Sequence, residues 1–225
     1  MNGGDSAAPV VDPYAGHDPA AVAARWDPRA ADWDSALRDP ACHLNEGRAY
    51  DLFVRLVRRL VFRRRACCAQ QGLIDAGCGT GLVLGELAPA FAWAVGVDLS
   101  PAMITQARAK NLPHSRWLTG DCFALPALCP PAGLVVSRGV LLSHYGAARG
   151  AELLAAWRAA LVPGGWVACD FLQASGRPTA RHAPDTKTWF THESVTCLAR
   201  DAGFLPPTTL GRPTRRVACL LAQNP

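Results

Sequence analysis

The stretch LIDAGCGTG, Leu73 to Gly81, decides how this chain is read. A short apolar run meets an acid, Asp75, and then glycines at alternating positions, Gly77, Gly79 and Gly81, before a helical pattern begins. A second apolar run, AWAVGV, ends in Asp98, seventeen residues past Gly81. Glycines at a strand-to-helix turn let the backbone approach a ligand without Cβ clashes, and the free amides of the helix start point at that ligand. An acid closing the next strand of a doubly wound sheet is placed to hydrogen-bond ribose hydroxyls. The pattern predicts a nucleoside site at the carboxyl edge of an α/β sheet.

The glycine spacing narrows the ligand. The dinucleotide fingerprint is G-x-G-x-x-G, whereas this motif runs G-x-G-x-G with Asp75 just ahead of it. Four further stretches follow in order: VGVDLSPAMITQAR (95–108), LTGDC (118–122), LVVSRGVLLSHY (134–145) and LVPGGWVACDF (161–171). Together these five stretches, spread over about residues 70–222, resemble the class I S-adenosylmethionine-dependent methyltransferases that act on small molecules. The resemblance implies an α/β, Rossmann-like seven-stranded sheet of order 3-2-1-4-5-7-6, with a cap over residues 1–45 and the main domain over 46–225. It implies S-adenosyl-L-methionine as cofactor. Asp75 would contact its methionine end, within the turn formed by Gly77, Cys78, Gly79 and Gly81, and Asp98 would hold its ribose. Leu99 and Met103 would pack on the adenine, Asp121 beside Cys122 would face the adenine amino group, and Ser137 would lie near the methionyl part.

Methyl transfer from a sulfonium is an in-line displacement from an activated leaving group. The protein aligns the partners, excludes water and sometimes removes a proton. The cofactor site should therefore be legible while the catalytic group is less so. His144, just past the fourth strand, is the leading base, since imidazole takes a proton near neutral pH; the competing reading is a helix-start histidine bonded to backbone. Arg138 sits beside an apolar strand and needs a partner, either a substrate carboxylate or a structural acid. Tyr145, the neighbour of His144, is expected to face elsewhere if a helix begins there.

The N-terminal third is rich in aromatic and histidine residues: Tyr14, His17, Trp26, Trp33, His43 and Tyr50. Its segment WDPRAADWD resembles the W/Y-D repeats that lid the cofactor in this family, although packing of lid helices competes for each single residue. His182, Trp189 and His192 carry the same ambiguity.

Composition bounds the rest. The chain has 225 residues, half apolar and 18% charged, with net charge +5 and 21 arginines against 2 lysines. One domain with a full core is the default at that length, and the arginine and alanine bias suggests a GC-rich bacterial genome. Nine scattered cysteines, no C-x-x-C pair and no export signal point to reduced thiols in the cytoplasm, with no metal site. The charge-free run Leu87–Val97 is too short to cross a bilayer.

Residues 1–24 lack sustained periodicity, a short helix is expected near Pro28–Leu37, and 39–45 reads as a loop. Glu46–Arg65 reads as an amphipathic helix with Leu52, Phe53, Leu56, Val57, Leu60 and Val61 on its buried face. Strands are expected near 72–76, 93–97, 115–119, 132–137, 164–171, 205–210 and 215–222, and helices near 81–89, 101–110, 147–161 and 191–202. The polar loop 172–190 is long enough to wall a pocket.

These features favour methylation of oxygen or nitrogen in a small metabolite. Two alternatives stay open: cleavage of another carbon–sulfur bond with release of methylthioadenosine, and cofactor binding without turnover. The arginines at 55, 58, 59, 63, 64 and 65 form a solvated helix face or a contact for a second copy or a carrier protein. Nucleic acid is disfavoured because aromatic residues do not alternate with them, Phe62 being the single one among them.

Overall fold

The computed structural model describes residues 12–39, 41–42, 48–176 and 187–225. The expectations for His43, Glu46 and His182 lie outside these residues, as do parts of both the N-terminal segment and the 172–190 loop.

The sheet is built around strand β1 (Gly72–Ala76), with β2 (Trp93–Asp98) on one side and β4 (Ala132–Ser137) on the other, both parallel to it. Beyond them lie β3 (Ser115–Thr119) and β5 (Leu161–Leu172). The last two strands, β6 (Thr208–Leu210) and β7 (Val217–Gln223), form an antiparallel hairpin, and β7 pairs antiparallel with β5. The order is β3-β2-β1-β4-β5-β7-β6, as expected. Every residue of β1 and β4 is buried, which is why both read as unbroken apolar runs rather than as alternations. The order reverses direction between β1 and β4, so their carboxyl ends splay apart and open a crevice there.

Helices cover both faces. Among the described residues these are α1 (Pro19–Trp26), α2 (Trp33–Arg38), α3 (Ala49–Arg63), α4 (Arg65–Cys68), α5 (Leu82–Leu87), α6 (Pro101–Ala109), α7 (Leu125–Leu128), α8 (Leu141–Ala159) and α9 (His192–Asp201). Alternate strand residues divide the core. Ile74, Val135, Val167 and Phe171 pack with Leu153 and Trp157 of α8 and Val195 of α9. Leu73, Leu134, Val136 and Ala168 pack with Val57 of α3 and with Leu84 and Leu87 of α5. None of the described helices is long and apolar enough to cross a membrane.

Three helices depart from expectation. Helix α1 falls where no periodicity is visible, because only Val22 of its eight residues is buried. Its start is written instead in Asp18-Pro19: the Asp18 carboxylate accepts from the amides of Ala20 (3.0 Å) and Ala21 (3.1 Å), and proline suits the first helical position. Helix α3 is rotated by about one position from the expected face. Its buried stripe is Tyr50, Phe53, Val54, Val57 and Val61, and Leu52 is 48% exposed. Helix α8 begins at Leu141 rather than 147 and breaks at Gly146, whose φ is 69°. That extra turn carries His144 and Tyr145.

Gly81 shows what the first motif demands. It precedes α5 with φ of 79°, and a Cβ there would lie 2.2 Å from the Trp117 ring. Both the backbone conformation and the space exclude a side chain.

Candidate cofactor and acceptor site

The crevice above β1 and β4 holds a cavity. From the body, Gly77, Gly79, Asp98, Leu99, Met103, Cys122, Arg138 and His144 line it. From the N-terminal segment, Tyr14, Val22, Trp26 and Trp33 close over it. Eight of the thirteen expected site residues therefore meet at one place, together with Gly139, Leu141 and Tyr145.

Asp98 ends β2 with its carboxylate fixed by two amides, Gly79 at 2.8 Å and Ser100 at 2.9 Å. Burial raises its pKa, and those two amides oppose the rise. Trp33 packs on the glycine turn, its indole nitrogen only 3.0 Å from where a Cβ on Gly79 would lie. The turn thus serves a close approach from above as well as any ligand beside it.

Asp75, Cys78, Gly81, Asp121 and Ser137 are not on the cavity wall. Cys78 is buried beneath the turn, near Gly96, and Gly81 shapes the turn itself. Asp121 is turned toward the cap: its carboxylate lies 2.6 Å from His17 Nε2 and accepts from the Phe123 amide at 3.0 Å. Ser137 is buried, and its hydroxyl lacks a hydrogen-bond partner among the described residues.

Asp75 also has an unpartnered carboxylate oxygen. Burial, with the nearby Asp98 charge adding to it, lifts its pKa from 3.8 to about 7. An acid raised by folding binds more protons in the native than in the unfolded chain, so stability falls as pH rises from about 4 to 7. Asp75→Asn should remove that slope and stabilise the ligand-free protein at pH 8 by about 2–4 kcal/mol. Urea unfolding at pH 5 and pH 8 checks this, and an undiminished slope in the variant places the titration elsewhere.

The Trp-Asp pairs of the N-terminal segment divide their work. Trp26 and Trp33 face the cavity, ring edge to face at 5.4 Å. Asp27 accepts from the Ser100 hydroxyl and, at 3.3 Å, from the Ala102 amide at the start of α6. Asp34 accepts from the Thr80 hydroxyl and pairs with Lys110 at 2.6 Å. Each tryptophan therefore covers the site while the next residue ties the cap to the body. Tyr14 accepts a hydrogen bond from the Trp26 indole and stacks on the His144 ring at 4.3 Å. Burial pushes its hydroxyl up to about 12. Contrary to expectation, Tyr145 faces this cluster, edge-on to Tyr14 at 5.1 Å.

A second compartment adjoins the first and shares Trp26, Trp33, Arg138, Gly139 and His144 with it. Asp170, Lys187 and Arg216 complete its polar wall. Arg138 and Asp170 form an ion pair at 3.7 Å, both nearly buried. Asp170 also accepts from the amides of Gly139 (2.9 Å) and Val140 (2.7 Å). Sequence reading missed Asp170, although an acid closing an apolar strand is the same signal that reveals Asp98. His144 sits where the compartments meet, and burial, with Lys187 and Arg25 adding to it, holds its pKa well below the usual histidine value. It is therefore neutral at pH 7.

Of the other residues singled out, His192 is structural: its ring nitrogens contact Thr209 (2.8 Å) and Gln173 (2.9 Å). Trp189 lies under the Arg216 guanidinium. The α3 arginines Arg55, Arg58, Arg59 and Arg63 are all exposed, on one helix face at i, i+3, i+4 and i+8. Arg58 pairs with Glu86 at 2.6 Å, and Arg64 stacks over Trp166.

A family model described as a methyltransferase domain matches residues 73–165. Solved structures share the whole architecture. The magnesium protoporphyrin IX methyltransferase of Synechocystis PCC 6803, solved with bound S-adenosylmethionine, is 18% identical with a TM-score of 0.70, over 97% of this chain and all of its own. The sugar N-methyltransferase KedS8 of Streptoalloteichus sp. ATCC 53650 is 23% identical with a TM-score of 0.65, over 80% of this chain and 90% of its own. The 4+2 cyclase SpnF is 19% identical with a TM-score of 0.67, over 91% and 95%. No curated protein matches the chain. At these identities the structural likeness is one of fold.

S-adenosylmethionine is the ligand bound in the Synechocystis structure, and the residues of this crevice fit it. The acid Asp98 meets a glycine cradle in which a side chain on Gly77 or Gly79 would collide with Leu141 or Trp33. Leu99 and Met103 offer an apolar wall beside it, and the unpartnered oxygen of Asp75 lies beneath.

Proposed function

We propose that this methyltransferase moves a methyl group from S-adenosylmethionine to an oxygen or nitrogen of a small metabolite held in the second compartment. The junction at His144 carries this reading, since one imidazole borders both the cofactor cavity and the compartment behind it. When bound, the cofactor supplies an electrophilic methyl group on a sulfonium. The protein's share is alignment, exclusion of water by the Tyr14–Trp26–Trp33 roof, and removal of a proton from the acceptor. His144 suits that last step because its lowered pKa keeps it unprotonated. Asp98 would hold the ribose and Leu99 with Met103 the adenine. Asp121, given over to His17, fixes the cap rather than the base.

The test is product analysis across a metabolite panel. Formation of S-adenosylhomocysteine together with a methylated product supports the proposal, and methylthioadenosine overturns it. His144→Gln should lower kcat by about 10²–10⁴ for a hydroxyl acceptor while leaving cofactor affinity nearly unchanged. A variant with full kcat removes His144 from the chemistry. A second reading draws on the cyclase neighbour, which shows this fold in a protein named for ring closure. It predicts a cyclised product with neither S-adenosylhomocysteine nor methylthioadenosine released.

A further inference from the structure

The acceptor compartment does not end at Arg216. Arg216, Val217 and Ala49 also line an open groove on the outer side, between α3 and the β6–β7 turn. Five arginines border that groove: Arg48, Arg55, Arg212, Arg215 and Arg216. No acidic residue is among the described residues lining it, although Arg48 reaches Asp51 at 3.9 Å across an exposed helix turn. Arg138 and Lys187 extend the same sign of charge inward, with Asp170 as the one acid among the lining residues there.

The turn that carries three of these arginines is held in place from below. Gln173 is fully buried, and its side-chain amide donates to the carbonyls of Arg212 (2.6 Å) and Arg215. Its backbone amide donates to the Arg216 carbonyl at 2.9 Å. His192 fixes the other end of the Gln173 amide. With its side-chain amide spent on two carbonyls and its backbone amide on a third, buried Gln173 sets the guanidinium-bearing turn in a single arrangement. Arginine forks match the oxygen geometry of phosphate and bind it through paired hydrogen bonds.

We propose that the acceptor is a phosphate-bearing small molecule, its reactive end in the inner compartment and its phosphate on the arginine groove outside. This inference rests on the methyl-transfer reading for the role of the inner compartment, while the groove can be tested independently. The probe is inorganic pyrophosphate, titrated calorimetrically into the full chain at moderate salt. The variant is Arg212→Ser combined with Arg215→Ser, both exposed and outside the cofactor cavity.

Pyrophosphate should bind the parent chain, and the double variant should bind it about a hundredfold more weakly, roughly tenfold for each arginine. S-adenosylhomocysteine affinity should be equal in the two proteins, showing that the variant is folded. Absence of pyrophosphate binding to the parent chain overturns the proposal. So does undiminished binding in the double variant, and so does binding of duplex DNA without binding of pyrophosphate. If the parent protein binds pyrophosphate but not S-adenosylhomocysteine, the cofactor reading fails while the groove assignment stands.

Discussion

Asp98→Ala should weaken S-adenosylhomocysteine binding by about 10²- to 10⁴-fold, as expected for losing two hydroxyl contacts to a charged acceptor at ~1.5–3 kcal/mol each. Asp98 is the acid on the cavity wall at the end of β2, and the Gly79 and Ser100 amides aim it. Removing it also strands those amides, so a modest loss of thermal stability should accompany the loss of affinity. Asp98→Asn separates the two effects. It keeps the size and one of the two acceptor oxygens but lacks the charge, and it should bind weakly while recovering part of the stability lost in Asp98→Ala. Calorimetric titration decides the matter, and an affinity within about threefold of the parent would remove the ribose role from this residue.

The second large effect is expected at Asp170. Asp170→Ala should destabilise the fold by about 3–5 kcal/mol, because it removes one partner of the buried Arg138–Asp170 ion pair. The same change frees the amides of Gly139 and Val140, and Val140 has a left-handed φ of 54° that a branched side chain adopts only under constraint. The turn after β4 should therefore relax, and His144, four residues further on, should lose its place between the two compartments. Combining Asp170→Leu with Arg138→Met should recover much of the stability but none of the activity, since an apolar pair can replace a buried ion pair in energy. Urea unfolding of the single and double variants tests this. A loss below about 1 kcal/mol in Asp170→Ala would show that the carboxylate does not hold the turn.

The sheet was legible because its signals are local. Buried parallel strands read as apolar runs, and glycines with an acid at fixed offsets mark the turn between β1 and α5. The cavity residues Gly77, Gly79 and Asp98 follow from that pattern, and Leu99 and Met103 from the family resemblance built on it. What escaped depends on tertiary partners. Asp121 carries the expected motif, yet His17, more than a hundred residues away in sequence, takes its carboxylate. Arg138 could be narrowed to two kinds of partner, and only the folded sheet shows Asp170 beside it on the neighbouring strand. Tyr145 was misdirected because the break at Gly146, and with it the separate turn before α8 proper, is not encoded in any periodicity. Helix α1 was missed for the opposite reason: its cap is explicit in Asp18-Pro19, but an alanine-rich body hides the face it buries.

The two Trp-Asp pairs are seven residues apart, and each has one member on the ligand side and one gripping the core domain. The interval between them is thereby a gauge. Most of the residues inside it, Arg29, Ala31 and Asp32 among them, point to solvent and are open to substitution. A single inserted or deleted position, by contrast, would force a choice between seating an indole and seating a carboxylate. Variation in this segment is constrained in length far more tightly than in chemistry.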